Sequence, residues 1–530
     1  MTYGATTGLL PRAGEAEALW HLRQFSRAPE GMRSPGRTLA AAFVAAIAVA
    51  TAAPQAAGAA PIDIGSRLEL MVDEHLIERM SGGARLHLHT PRPREVVMVH
   101  DRPWEGSGCG YHTVFRDGDL YRMYYKAWQL TVRDRKLVLP HSPFGAYAES
   151  KDGIHWTKPE LGLFEFAGSK KNNLIWVGAG GHDFTAFRDT NPNCKPDAKY
   201  KAVANGNGGL IAFKSADGIR WSLIQKGPVM TGCAFDTQNL AFWDTVRGEY
   251  RAYVRDFREG RRGIRTATSK DFVHWTKPVW LEYPGAPKEQ LYTNQIKPYT
   301  RAPHIFVGFP TRYIERGWSE SMKALPQSEH RQLRSSAHQR YGTALTEALF
   351  MTSRDGKTFK RWGEAFLRAG LGHRDNWKYG DNYIGWHTVE TKSDTPGAPD
   401  ELSIYATEDY WTGNSNRLRR YTLRIDGFVS VRAPLSGGEF VTKPLVFQGN
   451  RLIINFATSA AGSVRVEIRG ADGKPVEDFA LTDCPEIFGD DIERVVTWKA
   501  GPDVGKLAGK PVRLRVAMKD ADLYSFRFRP

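Results

Sequence analysis

Apolar and polar positions alternate along most of this chain in short runs, with little helical spacing. Strand-like runs at 111–115 and 120–125 are joined by Arg-Asp-Gly-Asp. Others follow at 199–204, 240–243, 249–254, 295–299 and 304–309, then at 383–389, 401–406 and 418–425. Alternation with turn residues between predicts antiparallel strands. A turn pattern recurs among them. It is Ser, any residue, Asp, and an aromatic six residues after the Ser: Ser150 to Trp156, Ser215 to Trp221, Ser269 to Trp275 and Ser353 to Phe359. Asp-Gly is a tight-turn signal, and an aromatic after it can pin the turn to a neighbour. Four-stranded units with unequal loops fit these intervals. Five such units fit residues 95–430, the fifth without the turn pattern. Radial repetition of four-stranded sheets limits exposed edges, so the expected fold class is all-β: a five-bladed β-propeller followed by a C-terminal β-sandwich.

The sandwich is read from alternation at 451–456, 464–468, 495–498 and 512–517. Its expected span is 433–530, with the propeller at 61–432. Strands predicted at 68–72 and 85–89 are expected to lie against the first or last blade. Residues 315–345 are charged and helix-forming, and form a long insertion in the fourth blade, either a lid or a solvated excursion.

Residues 1–60 have a different composition. A twelve-residue apolar run, 39–50, follows Arg33 and Arg37 and precedes a small-residue stretch ending Ala57-Gly-Ala59. This is the pattern of a secretory signal peptide, with Met32 a candidate start. The run is shorter than the roughly 20 residues a spanning helix needs, so membrane insertion is not expected. The chain is expected to be secreted or periplasmic. Export permits disulfides, and Cys109, Cys194, Cys233 and Cys484 allow one bridge among the first three or none.

Charge narrows the partners. The chain of 530 residues carries +15, of which residues 1–60 contribute +2. A basic surplus suits any acidic polymer. No Gly-rich phosphate loop opens a helix, and the Arg-rich stretch 255–265 reads as a hairpin, so nucleic acid is not expected. The expected partner is a carbohydrate, neutral or anionic. No cofactor is expected. An axial calcium has no ligand pattern to specify it.

One segment carries a family likeness. Phe187-Arg188-Asp189 is followed by a Pro-Asp turn and Tyr200-Lys-Ala-Val203, with Asp189 eleven residues before Tyr200. This resembles the segment that enters the second blade of the five-bladed furanosidases, glycoside hydrolase families 32 and 43. The resemblance covers about residues 95–530. It implies a glycosidase in which Asp189 holds the sugar and steadies the charged transition state. The first-blade Asp of family 32 has no counterpart: Gly110 stands there, and Glu105 is the nearest acid. The third-blade Glu-Cys is replaced by Cys233-Ala-Phe-Asp236. These departures mark a divergent branch.

In a propeller, strand-one starts and strand-two ends ring one axial mouth. The expected inner ring includes Glu105, His112, Asp183, Asp189, Asp236, Gln238, Asn294, Asp381 and Asn382. The outer ring includes Lys126, Trp128, Arg255, Arg312, Glu408 and Trp411. Glycoside cleavage needs two carboxyl groups. Asp189 with Glu408 is the first expectation, with Glu105 and Asp236 as the other candidates. Trp104, His112, Arg188, Gln238, Arg255, Asn294, Arg312 and Asn382 are the expected substrate contacts, because aromatic faces stack on sugars, amides take hydroxyls and Arg forks hold acidic groups. A sialidase-like hydrolase of acidic sugars and a non-catalytic carbohydrate-binding propeller are the alternatives.

Overall fold

The computed structural model describes residues 60–370 and 375–530. The expected signal peptide lies outside the described residues. Five antiparallel sheets follow one another along the chain. Blade one runs Gly110–Asp117, Leu120–Ala127, Phe144–Ser150 and Trp156–Thr157 from inside outward, with Leu174–Val177 added beside the third strand. Blade two is Thr185–Arg188, Tyr200–Gly206, Gly209–Ser215 and Ser222–Leu223. Blade three is Leu240–Asp244, Glu249–Arg258, Arg261–Ser269 and Val279–Trp280. Blade four is Lys297–Tyr299, Ala302–Gly308, Met351–Ser353 and Lys360–Arg361. Blade five takes Val389–Thr391, Glu401–Glu408 and Arg417–Arg424, and borrows its outer strand, Arg92–Val99, from before blade one. That exchange closes the ring.

The cores lie between blades. Val114, Met123 and Tyr125 of blade one pack with Val389, Tyr405 and Leu418 of blade five. Phe115 and Tyr124 pack with Phe184 and Tyr200 of blade two. Blades two, three and four share Phe187, Val203, Tyr253, Phe306 and Phe359. Blade four meets blade five through Ile305, Val307, Ile404 and Tyr421. On the axis, Val114 N–H donates to Trp386 O and Trp386 N–H to His112 O, at 2.9 and 2.7 Å. Gly385 makes room for this, since a Cβ there would stand 3.1 Å from His112 O.

The recurring turn is a hydrogen-bond device. In blade one the Gly153 N–H donates to Ser150 Oγ at 2.9 Å, and the Ile154 and His155 N–H groups to Asp152 Oδ1 at 2.8 Å. Gly153 has φ +76°, a left-handed value that a Cβ disfavours. The turn's carbonyl then faces the blade before it. Tyr405 OH of blade five donates to Gly153 O, Tyr124 OH of blade one to Gly218 O, and Tyr253 OH of blade three to Gly356 O, at 2.5, 2.9 and 2.9 Å. The third turn has Phe272 where the others have Gly, at φ +71°, and is fully buried against Phe187 and Tyr250. Blade five has a substitute for the turn, since Tyr299 OH of blade four donates to Asp426 Oδ1 at 2.7 Å.

Ten further strands form a folded-over sheet. Arg451–Gly470 and Val512–Arg529 pair along most of their length, and the pairing breaks between Thr458 and Ser463. Leu452, Ile454 and Phe456 before the break share one core with Val464, Val466 and Ile468 after it, so the sheet closes as a sandwich. Ile62–Gly65, Glu69–Leu70, Ile77–Ser81 and Arg85–Leu88 take their strand partners from the sandwich. Leu68, Leu70 and Val72, with Leu86 and Leu88 beside them, share a core with Ile305 of blade four and Ile404 and Tyr421 of blade five, so these strands lie against the last blade as expected. All four cysteines are free, and Cys109 and Cys484 are buried.

Tyr124→Phe and Tyr253→Phe each remove one inter-blade donor and leave a buried carbonyl unpaired. Each should lower the unfolding free energy by about 1–2 kcal/mol, read by urea titration.

Candidate active site at the axial mouth

The two ends of a blade differ in character. Strand Glu249–Arg258 shows this: Tyr250 lies at the turn end and Arg255 at the mouth end, five residues or about 17 Å apart. Asp189 accepts from Tyr250 OH at 2.6 Å and is ion-paired with Lys201. It therefore belongs to the turn face. It is the blade-two to blade-three staple, at the junction where Phe272 removes the usual tyrosine contact. Arg188 is on the same face, exposed, 3.1 Å from Asp117. The expected pairing of Asp189 with Glu408 is thus not assembled.

The other expected residues divide. Glu408 is at the mouth end of its strand, but its Oε1 accepts from Arg419 Nε at 2.6 Å and Tyr421 OH at 3.3 Å, on the side of blade five. Glu105 is buried in blade one, held by Lys158 Nζ at 2.6 Å, Tyr125 OH and the Arg102 N–H. Trp104 donates to Asn173 Oδ1 at 2.7 Å beside it. His112 sits 3.1 Å from His100, and burial pushes its pKa down to about 3, so it is neutral. Gln238 braces the axis, donating to Tyr111 O and Thr113 Oγ1 and accepting from Gln295 at 2.7 Å. Asn294 closes a turn through the Ile296 N–H, and Asn382, at φ +63°, ties Thr346 O to Asn376 O. Arg312 is saturated by Glu347, Glu289 and Gly363 O. Local acids within its own sheet satisfy it, a pairing that linear spacing does not display.

Asp236 and Arg255 remain at the mouth, and Asp381 joins them from the expected inner ring. Arg255 Nη2 donates to Asp236 Oδ2 at 2.7 Å. Phe235, at φ +50°, turns the chain so that its N–H reaches Arg255 O, while Arg255 N–H reaches Asn239 Oδ1. Around this pair stands an aromatic cup. Tyr292 and Tyr379 share a 2.8 Å hydroxyl contact, and the Tyr292 ring lies 5.6 Å from Tyr383. Lys126 lies over Tyr111 and Trp128 at 4.5 and 4.6 Å. Burial raises the Tyr111, Tyr292, Tyr383 and Tyr410 hydroxyls well above the usual phenol range.

Asp381 is fully buried at the cup's edge. Its Oδ1 accepts from Tyr410 N–H at 2.7 Å, and burial drives its pKa well above the carboxylate range, against the pull of Lys378. Gly380 is required beside it: a Cβ would meet the Tyr410 ring at 2.0 Å, and its φ is +94°.

The 315–345 insertion covers the mouth. Helices Glu320–Lys323, Ser328–Ala337 and Arg340–Thr343 stand between strands Thr311–Glu315 and Ala344–Ala348. Arg331 holds Asp375 through two bonds of 2.7 and 2.6 Å with both groups buried. Tyr341 packs on Trp411 at 4.5 Å and on Tyr379 at 6.2 Å. The insertion is therefore a lid, not a solvated excursion. Two surface hollows lie away from the mouth, one along Glu78, Arg469 and Arg513 of the sandwich and one along Asp73, Arg354 and Lys360, and neither is lined by an aromatic side chain. Among the described residues no cluster of three or more His, Cys, Asp or Glu could hold a metal ion.

No protein-family model and no curated protein matches this sequence. Solved structures do match. An N-acetylgalactosamine deacetylase from F. plautii, in complex with blood group B trisaccharide, is 12% identical over 64% of this chain and 94% of its own, with a TM-score of 0.39. The Bombyx mori GH32 beta-fructofuranosidase BmSUC1 is 9% identical over 86% and 95%, with a TM-score of 0.36. A fructofuranosidase from Schwanniomyces occidentalis, complexed with fructosylnystose, is 13% identical over 84% and 97%, with a TM-score of 0.35. At these identities and TM-scores the likenesses bear on neither reaction nor substrate, which rest on the site itself.

The sequence missed most of the cup. Tyr111, Tyr292 and the pair Tyr379 and Tyr383 come from three separate segments, and only the cluster Tyr379-Gly-Asp381-Asn-Tyr383 hinted at it. The staple role of Asp189 predicts a stability phenotype. Asp189→Ala leaves Lys201 buried without its carboxylate and should cost about 3–5 kcal/mol in chemical denaturation. Catalytic activity per folded molecule should stay at the wild-type level.

Proposed function

We propose that the cup binds a sugar and that the protein hydrolyses a glycosidic bond there, with Asp381 as the acid and Asp236 as the nucleophile or base. One observation carries the reading. Two carboxyl groups at the same mouth sit in opposite environments: Asp236 is held as an ion-paired carboxylate by Arg255, and Asp381 is buried so that its protonated form is favoured. Environments that push two acids apart are how one site supplies both an acid and a base. The surrounding tyrosines and Trp128 offer flat apolar faces for a sugar ring, and the lid excludes water from the bond being broken. Export of the chain, read from residues 39–59, would bring this chemistry to glycans outside the cytoplasm.

A panel of oligo- and polysaccharides, followed by reducing-end release, tests this. Asp236→Asn and Asp381→Asn should each lower the rate by about 10²–10⁴-fold. Full activity in either variant would remove that residue from the chemistry. Binding of a panel glycan without cleavage would make the protein a lectin.

Acidity gives a second test. The folded pKa of Asp381 lies above its unfolded value, so between the two values the folded protein keeps a proton that the unfolded chain releases. The stability this contributes is full below the unfolded pKa and is lost as pH rises through the folded one. Asp381→Asn should flatten the loss of stability from acidic to neutral pH. It should also abolish the alkaline limb of the rate profile.

A further inference from the structure

The cup holds more positive charge than the proposed chemistry uses. Arg262 and Arg340 are both buried, at 5% and 7% exposure. Arg262 lies 5.1 Å from the Tyr292 ring and 4.6 Å from that of Tyr313. Arg340 comes from the lid and lies over Tyr341 and Tyr379 at 4.6 and 5.5 Å. Neither meets a carboxylate among the described residues. The polar contacts of Arg262 reduce to Gln290 Oε1 at 2.5 Å, and those of Arg340 to Tyr341 OH at 3.4 Å. Arg262 Nε and Arg340 Nη1 are buried with no hydrogen-bond partner. The nearby acids are Asp236, which Arg255 already neutralises, and the exposed Glu315, which accepts from Tyr313 OH.

Guanidinium groups buried without counter-ions are costly, and rings beneath them repay only part of that cost. The arrangement makes sense where a bound anion completes it. We propose that Arg262 and Arg340 form a subsite for an acidic substituent, a carboxylate or a sulfate ester, on the sugar held in the cup. The proposal rests on the reading of the cup as a sugar site and names its substrate class. One arginine belongs to blade three and the other to the lid, so the acidic group would bridge the two and hold the lid down over the glycan. An Arg fork suits both oxyanions, and a neutral sugar would leave the two charges unmatched.

The full-length protein is titrated calorimetrically with an oligogalacturonide and its methyl ester, and with a sulfated galacto-oligosaccharide and its desulfated form. One acidic form should bind at least about tenfold more tightly than its neutral counterpart, and the pair that shows this identifies carboxylate or sulfate. Arg262→Gln and Arg340→Gln should each remove about tenfold of that preference and leave neutral binding within about twofold. Arg340→Lys, which keeps the charge but not the fork, should fall between, with melting curves confirming that each variant folds. Equal binding of acidic and neutral forms, no binding of any of the four, or equal weakening of both forms in the variants would overturn the subsite. The wild-type comparison decides even where a variant fails to fold. Acidic binding without cleavage would sink the hydrolase reading and leave the subsite standing. Cleavage of a neutral glycan that depends on Asp381, without preference for acid, would do the reverse.

Discussion

Ring closure is the constraint on which everything else depends. Arg92–Val99 must return to pair with Arg417–Arg424, across more than three hundred residues. Closing a loop of that length costs about 5 kcal/mol in chain entropy beyond a constant. The ladder itself offsets part of this, and charged pairs lock the register. Arg420 reaches Glu95 at 2.6 Å, and Arg94 reaches Glu401 at 2.9 Å. Without closure the strand Arg417–Arg424 would be an open edge, and Trp386 would lose the blade-one carbonyl it meets on the axis.

A closed ring has two faces, and this protein uses them differently. The turn face is mechanical. Its Ser, Asp and Gly residues fold turns whose carbonyls accept tyrosine hydroxyls from the preceding blade, and Asp189 and Asp426 substitute where that pattern lapses. The mouth face holds the chemistry. There the strand ends leave loops free to carry tyrosines, and the insertion after Thr311–Glu315 roofs them over. On the axis between the faces Gln295 donates to Gln238 and the Trp386 indole N–H donates to Ile296 O, which braces the floor of the cup.

Charge follows the same division. Outside the cup most arginines meet acids, as Arg312 meets Glu289 and Glu347, and Arg354 meets Glu69 and Asp73. Such pairs on the surface contribute little stability each. Inside the cup Arg262 and Arg340 have no acid to meet among the described residues. The basic surplus of the sequence therefore matters less as a number than as two buried positions.

The repeating turn and the alternation of strands were legible in the sequence because they are local. Each Ser-x-Asp turn carries its own donors and acceptors within seven residues, and period-two patterning needs no distant partner. Five blades and a trailing sandwich follow from counting them. Asp236, Arg255 and Asp381 were placed near the mouth by the same local patterning, since each adjoins a strand expected from the alternation, at 240–243, 249–254 and 383–389. What the chain alone could not decide was which carboxylates are already spoken for. Phe187-Arg188-Asp189 looks like a sugar-binding segment until Lys201 and Tyr250 are seen to close on it, and the strands of 62–88 lie on the last blade as their sequence suggests but take their hydrogen-bond partners from the sandwich. The tyrosine cup draws on loops hundreds of residues apart, and Arg340 becomes part of it only because the lid folds back. Local hydrogen bonding is written in neighbouring residues. Desolvation and ion pairing depend on who arrives from elsewhere in the ring, and only the tertiary structure settles that.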